Sequence, residues 1–252
     1  MGCIQWLDVW FEVCGRLTNP TIRMAKRVMI SQPRYLPSLN YLRRIAQSDL
    51  FVILDDTQRT ERGWENRNMI TDKNGGGRWL TIPVKGSSRL KINEAQIDGC
   101  EWIQDHVNKF VDWLGMKDEM PVMWYFDPLE RLCEREFSYG VSLSVMLSIV
   151  LRKYRVETEI VKESTLNNVQ GFNGKDKILQ ICKEVGAEEY VTGRFGAEYG
   201  IDRELFDKSG INVVVDEWRP NVYSNDNDHN AFLEFDIKFG MHKVQELLGL
   251  QT

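Results

Sequence analysis

From residue 27 onward, short apolar runs alternate with amphipathic segments. Arg27–Ser31 (RVMIS) predicts a strand, and the proline-bearing QPRYLPS behind it predicts a stiff turn. Ser38 then opens a helix whose Leu39, Leu42, Ile45 and Ala46 recur at three- and four-residue spacing on one face. Leu50–Leu54 (LFVIL) is unbroken apolar sequence, as expected of a strand covered on both faces. It stops at Asp55 and Asp56, and a long polar loop to Gly77 precedes a strand at Arg78–Val84. Helical spacing returns over Ile103–Leu114, Leu129–Phe137 and Leu143–Tyr154. Strands at Thr158–Val161, Glu189–Thr192 and Asn212–Val215 then alternate with helices near Lys175–Val185 and Arg203–Lys208. Strand–helix alternation of this kind specifies an α/β protein: a mostly parallel sheet with helices on both faces, a Rossmann-like open sandwich.

There is no internal repeat and no clear linker, so residues 29–252 are expected to form one α/β domain. Residues 1–28 read differently. They lack a basic region and a small-residue cleavage site, and Trp6 stands where N-myristoylation needs Ser or Thr. Met24 opens MAKRVMISQP just before the first strand, so residues 1–23 are expected to be an extension outside the fold. Hydrophobic residues at 42% and charged residues at 27% describe an ordinary globular chain, which excludes a disordered tail or a collagen-like rod. No run approaches the roughly 18 apolar residues that span a bilayer, so no membrane partner is expected. Five cysteines, scattered and without a CxxC pair, favour reduced thiols in a cytoplasmic protein (host cytoplasm if the source is viral).

Charge changes the picture more. Between Arg59 and Lys91 eight basic residues face three acidic ones, so this segment carries +5 within a chain of net charge −5. An acidic body with one basic cluster fits a site for a single anionic ligand better than indiscriminate nucleic-acid binding. A solvated charged face explains the same run.

In open α/β sheets, ligands bind beyond the carboxyl ends of the strands. Three polar stretches hold such positions. Gln32 to Pro37, with Tyr35, follows the first strand and leads into a helix. Asp55-Asp56-Thr57-Gln58 runs on through Arg62, Trp64, Asn66, Arg67 and Asn68. Successive strand side chains point to opposite faces, so one aspartate is expected to face the site while the other ties down the loop. Arg62 and Arg67 can fork onto a phosphate or carboxylate, and Trp64 can stack on a sugar or base. Ion pairing inside the loop is the competing explanation. The third stretch, Thr192-Gly193-Arg194 to Tyr199, follows a strand, and its glycines let backbone N–H groups close on a ligand. Asn74-Gly75-Gly76-Gly77 lacks the ending of a phosphate loop and reads as a turn. His106 shares the apolar stripe of Ile103, Phe110 and Trp113, which marks a core histidine. No HExxH, Cys/His cluster or GxSxG occurs, which disfavours a zinc hydrolase or esterase.

Taken together, QPxYLP at 32–37, SDLFVILDDTQ at 48–58, RxWxNRN at 62–68, WLTIPVK at 79–85 and KIN at 91–93 resemble the WbqC-like family. The likeness continues through TEIVKES at 158–164, GKDKILQICKEVGAEEYVTG at 174–193 and ELFDKSGI at 204–211, and spans roughly residues 28–240. The chain departs from the pattern at Ser31, where members commonly carry His, after Thr192-Gly193, and over Asn225–Asn230. The resemblance implies a transferase that puts an amino-acid amine, such as glycine, on an activated phosphate-bearing acceptor. That acceptor is a sugar of O-antigen biosynthesis or, in the phage branch, a phosphorylated hydroxymethyl-uracil in DNA modification. Asp55 or Asp56 then serves as general base, while Arg62, Arg67 and Lys85 neutralise the leaving phosphate. Gln32, Tyr35, Gln58, Trp64, Asn66 and Asn68 bind the acceptor, with Thr192, Gly193, Arg194 and Tyr199. Each preorganised donor aimed at developing charge contributes roughly 3–4 kcal/mol. No metal motif is visible in the sequence, although Asp55 or Asp56 offers the oxygen ligands that Mg²⁺ takes. Two other readings stay open: a non-catalytic module that binds a nucleotide-sugar or modified base, and a nucleotidyltransferase.

Overall fold

The computed structural model describes residues 26–87, 89–199, 201–220 and 230–250. The expected extension at 1–23 and residues 225–229 of the poorly matching segment lie outside the described residues. The strands are β1 (Arg27–Ser31), β2 (Leu50–Ile53), β3 (Arg67–Thr71), β4 (Gly77–Thr81), β5 (Val84–Lys85), β6 (Gln96–Ile97), β7 (Glu159–Lys162), β8 (Glu189–Thr192) and β9 (Asn212–Val215). The helices are α1 (Leu39–Ala46), α2 (Glu101–Leu114), α3 (Met120–Glu134), α4 (Tyr139–Lys153), α5 (Gly174–Glu184), α6 (Arg194–Tyr199), α7 (Arg203–Lys208), α8 (Phe232–Phe239) and α9 (Met241–Leu248). The chain divides into two compact units. Among the described residues the first takes 26–32 with Arg43–Asp55 and Glu157–Arg219, and the second takes Pro33–Leu42, Asp56–Val156, Pro220 and 230–250.

The first unit is built on a five-stranded parallel sheet in the order β7-β2-β1-β8-β9. In chain order within the unit these are the third, second, first, fourth and fifth strands, the doubly wound arrangement. Side-chain alternation explains why both sheet faces are apolar. Val28, Ile30, Leu50, Val52, Val161 and Tyr190 pack with Ile178, Ile181 and Cys182 of α5 and Phe206 of α7. The intervening Met29, Phe51, Ile53 and Val191 are just as buried. Each such side chain contributes roughly 1.5–3 kcal/mol. The apolar run of β2 is buried at all four positions, as its sequence requires.

The second unit holds two antiparallel hairpins, β3–β4 and β5–β6, together with α2, α3, α4, α8 and α9. Its core is aromatic: Tyr35, Phe110, Tyr125, Phe126, Tyr139, Tyr154 and Phe232 are all buried. Three expectations are corrected here. The long polar loop contains β3, whose buried Asn68 and exposed-side Arg67 hide the alternation of a strand. Asn74–Gly77 is indeed its turn: Asp72 N–H donates to Gly76 O at 2.9 Å, and Gly75 adopts φ +84. The strand expected over Arg78–Val84 stops at Thr81 and resumes at Val84, because Pro83 has no N–H for a ladder. Helix α3 begins at Met120 rather than Leu129, with Pro121 in its first turn and Pro128 accommodated inside it.

The thiol expectation is also corrected. Cys100, at the start of α2, and Cys133, near the end of α3, form a disulfide with Cα atoms 5.9 Å apart. A separation of 33 residues gives no sign of this pairing; it arises because α2 and α3 pack together. Cys182 is free and buried, and burial pushes its thiol up to about 12. Among the described residues no helix is long and apolar enough to cross a membrane.

Candidate functional site

The parallel sheet reverses its winding between β1 and β8, and the carboxyl ends of those two strands mark where a doubly wound sheet opens a ligand crevice. Gln32, half-buried, directly follows β1. Thr192, 7% exposed, ends β8, and Gly193 and Arg194 follow it into the six-residue α6. Four sequence-predicted residues thus occupy adjacent strand ends. Tyr199 is the last residue of α6.

Behind them stands a charged group that the sequence reading passed over. A Cβ on Gly193 would meet the Arg44 guanidinium at 3.2 Å, so glycine is what lets the chain approach that cation. Arg44 is 7% exposed and lies 4.0 Å from Asp216, which follows β9; Arg43 reaches the same carboxylate at 3.5 Å and stacks on Trp218. The Asp216 N–H donates to Thr192 O at 2.8 Å, tying this group to the end of β8. Farther along the rim, Asp55 follows β2. Its carboxylate is 2% exposed and accepts from Ser164 N at 2.9 Å and Ser164 Oγ at 2.7 Å.

The remaining candidates belong to the second unit. Asp56 accepts from Lys91 Nζ at 2.8 and 2.9 Å and from Asn93 Nδ2 at 3.2 Å. Each aspartate of the pair therefore has its own partners, and both lie beyond the end of β2, where strand alternation no longer sets their directions. Among the described residues no group of three or more His, Cys, Asp or Glu forms that could hold a metal ion. Tyr35 is a core residue, wholly buried, and its hydroxyl lies 2.7 Å from His106 Nδ1. Asn68 is equally structural: its Nδ2 donates to Leu36 O, and its Oδ1 accepts from Met69 N at 2.7 Å. Both side chains are thus buried and bonded within the second unit.

The eight bases of the Arg59–Lys91 segment divide rather than gather. Lys73 pairs with Asp112, Arg78 with Asp72 and Lys91 with Asp56. The Arg78 guanidinium and the Gly76 and Asn74 amides hold the Asp72 carboxyl below the usual range. Arg67 stacks on Trp79 at 4.2 Å, and Trp64 packs against the same ring at 5.6 Å. Arg62 is exposed with φ +59, Gln58 is exposed and bridges to Lys91, and Lys85 is exposed on β5. Arg59 is buried near Glu65, whose carboxyl is raised by burial against the lowering pull of Arg59 and Arg34. Asn66 Oδ1, Arg59 Nε and the Tyr139 hydroxyl, all buried, make no hydrogen bond. Of these residues only Asn66 was singled out from sequence, because one acid and one base six residues apart in a loop carry no recognisable signal.

An α/β protein with a doubly wound parallel sheet and a polar rim at its winding reversal is the class that fold and site define. The sequence profile of the WbqC-like protein family matches residues 32–234, and the chain belongs to that family. It is 30% identical over 197 residues to the uncharacterized protein Rv1507c of Mycobacterium tuberculosis, an alignment covering 75% of this chain and 81% of that one. No solved structure matches the chain.

Proposed function

We propose that this protein is a transferase that joins an amino-acid amine to an activated phosphate-bearing acceptor, with the acceptor bound at the carboxyl rim of the first unit's sheet. One observation carries the reading: the winding reversal between β1 and β8 is flanked by Gln32 and by Thr192-Gly193-Arg194, with the Arg44 guanidinium against Gly193. Arg44, paired with Asp216, and Arg194, paired with Glu198 at 3.0 Å, supply positive charge for the phosphate, which must compete with those carboxylates, and the chain at Gly193 can close on it without side-chain interference. In the reaction a C–N bond forms, the bond from carbon to the phosphate oxygen breaks, and the phosphate leaves with the bonding pair. The amine must shed a proton, and we assign Asp55, on the same rim, as its acceptor, with Ser164 orienting the carboxylate.

A second reading, a non-catalytic module for a nucleotide-sugar or modified base, draws on the fact that both Asp55 oxygens already accept from Ser164. The test offers labelled glycine with phosphorylated hydroxymethyl-uracil DNA and with nucleotide-sugars, and weighs the digested products by mass spectrometry. A glycine adduct that disappears in Arg194→Ala and Gln32→Ala, with their melting temperatures unchanged, supports the transferase. Saturable binding without product favours the module. Neither binding nor product removes both readings.

A further inference from the structure

The second unit contains a pocket of about 360 Å³ whose wall includes the Cys100–Cys133 disulfide. Lys85, Glu134 and Glu136 also line it, all three exposed and none with an ion-pair partner among the described residues. A pocket of this size suits a small ligand. One cation and two carboxylates call for a ligand that bears both carboxylate and ammonium groups, and the disulfide gives that ligand something to react with. The two cysteines differ in exposure: Cys100 is half-buried, while Cys133 is 7% exposed.

We propose that Cys100–Cys133 is a thiol-exchange site served by this pocket, which takes a small zwitterionic thiol of the cysteine-peptide type. Lys85 holds a carboxylate of the thiol, and Glu134 and Glu136 face its ammonium. The thiolate attacks Cys100 Sγ in line with the disulfide. A new S–S bond forms to Cys100, the Cys100–Cys133 bond breaks, and Cys133 leaves as a thiolate that takes up a proton. Cys133 Sγ lies 3.1 Å from Gly99 O, so the thiol so formed has a carbonyl to which it can donate. A second thiol then attacks the small-molecule sulfur of the mixed disulfide and frees Cys100. In sum, two thiols are oxidised to one disulfide and the protein disulfide is reduced. Cys100 stands at the start of the fourteen-residue α2, whose terminal amides favour its thiolate.

The experiment uses the full chain, purified without reductant, and glutathione as the probe. Alkylation with mass spectrometry should find Cys100 and Cys133 linked at the outset, and brief exposure to glutathione should put the mixed disulfide on the peptide bearing Cys100. Lys85→Ala should slow reduction by glutathione roughly two- to fivefold, the size of one exposed ion pair. The same substitution should leave reduction by uncharged 2-mercaptoethanol unchanged. Two free thiols at the outset overturn the proposal. So does an adduct on Cys133 alone, or an equal effect of Lys85→Ala on both reductants.

Discussion

His106 lies on the buried face of α2, its Nδ1 2.7 Å from the Tyr35 hydroxyl. Burial lowers its pKa from 6.5 to about 4, with Lys109 adding to the shift and Asp105 opposing it. Between those two values the unfolded chain binds a proton that the folded chain refuses. Stability from this group is therefore intact above pH 6.5 and falls as the pH drops towards 4, by about 3 kcal/mol in all. Chemical denaturation of the wild type and His106→Gln across that range checks it: the variant should lose less stability on acidification. Equal slopes would mean that the histidine is not held neutral. Glu65 works in the opposite sense, since burial favours its protonated form, but it is common to both proteins and cancels. Ser164 gives a second residue-level prediction. Ser164→Ala removes the Oγ donor from a buried carboxylate and should cost about 1–3 kcal/mol in urea unfolding. A loss below 0.5 kcal/mol would show that Asp55 does not depend on that hydrogen bond.

Individual elements differ in how far they were legible in the sequence, and the difference has a physical cause. Strands β1, β8 and β9 lie where RVMIS, EYVT and NVVV put them: β1 and β8 bury their apolar residues inside the sheet, and the half-buried valines of the edge strand β9 carry β-branched propensity. Helix α7 begins as expected behind Asp202, which accepts from Leu205 N at 3.3 Å. Strand β3 was invisible because its register sets Asn68 inward, where the amide serves Leu36 and Met69 rather than a ligand. Helix α6 was hidden by its glycine, and α3 by a proline that helices seldom carry internally. The candidate site follows the same rule. The placement of Gln32 and Thr192-Gly193-Arg194 was readable because apolar runs mark where β1 and β8 end, and ligands of α/β proteins bind beyond such ends. Arg44 was not, because α1 presents it to Gly193 only once the sheet has assembled. Tyr35 looked like a ligand-binding residue because the turn around it is polar, yet packing against Trp102, His106 and Tyr125 makes it core.

For the whole molecule, the basic segment 59–91 reads as one electrostatic feature but resolves into ion pairs, a cation over an indole and exposed charges. Net local charge therefore does not by itself mark a cleft: a run of bases along the sequence is spread over separate partners once folded. The disulfide makes a prediction at this scale as well. Cross-linking residues 33 apart removes loop entropy from the unfolded chain, worth about 3–4 kcal/mol. Full reduction should lower the melting temperature by several degrees; no change would mean that the pair does not constrain the unfolded chain.

The claim on which the functional account stands is that phosphate-bearing ligands settle at the ends of β1 and β8. Hydrogen–deuterium exchange of the full chain, with and without a saturating nucleoside diphosphate-sugar, tests it directly. Peptides covering residues 31–36 and 192–198 should exchange more slowly in the bound protein. Saturable binding that leaves both stretches exchanging as in the free protein would contradict it.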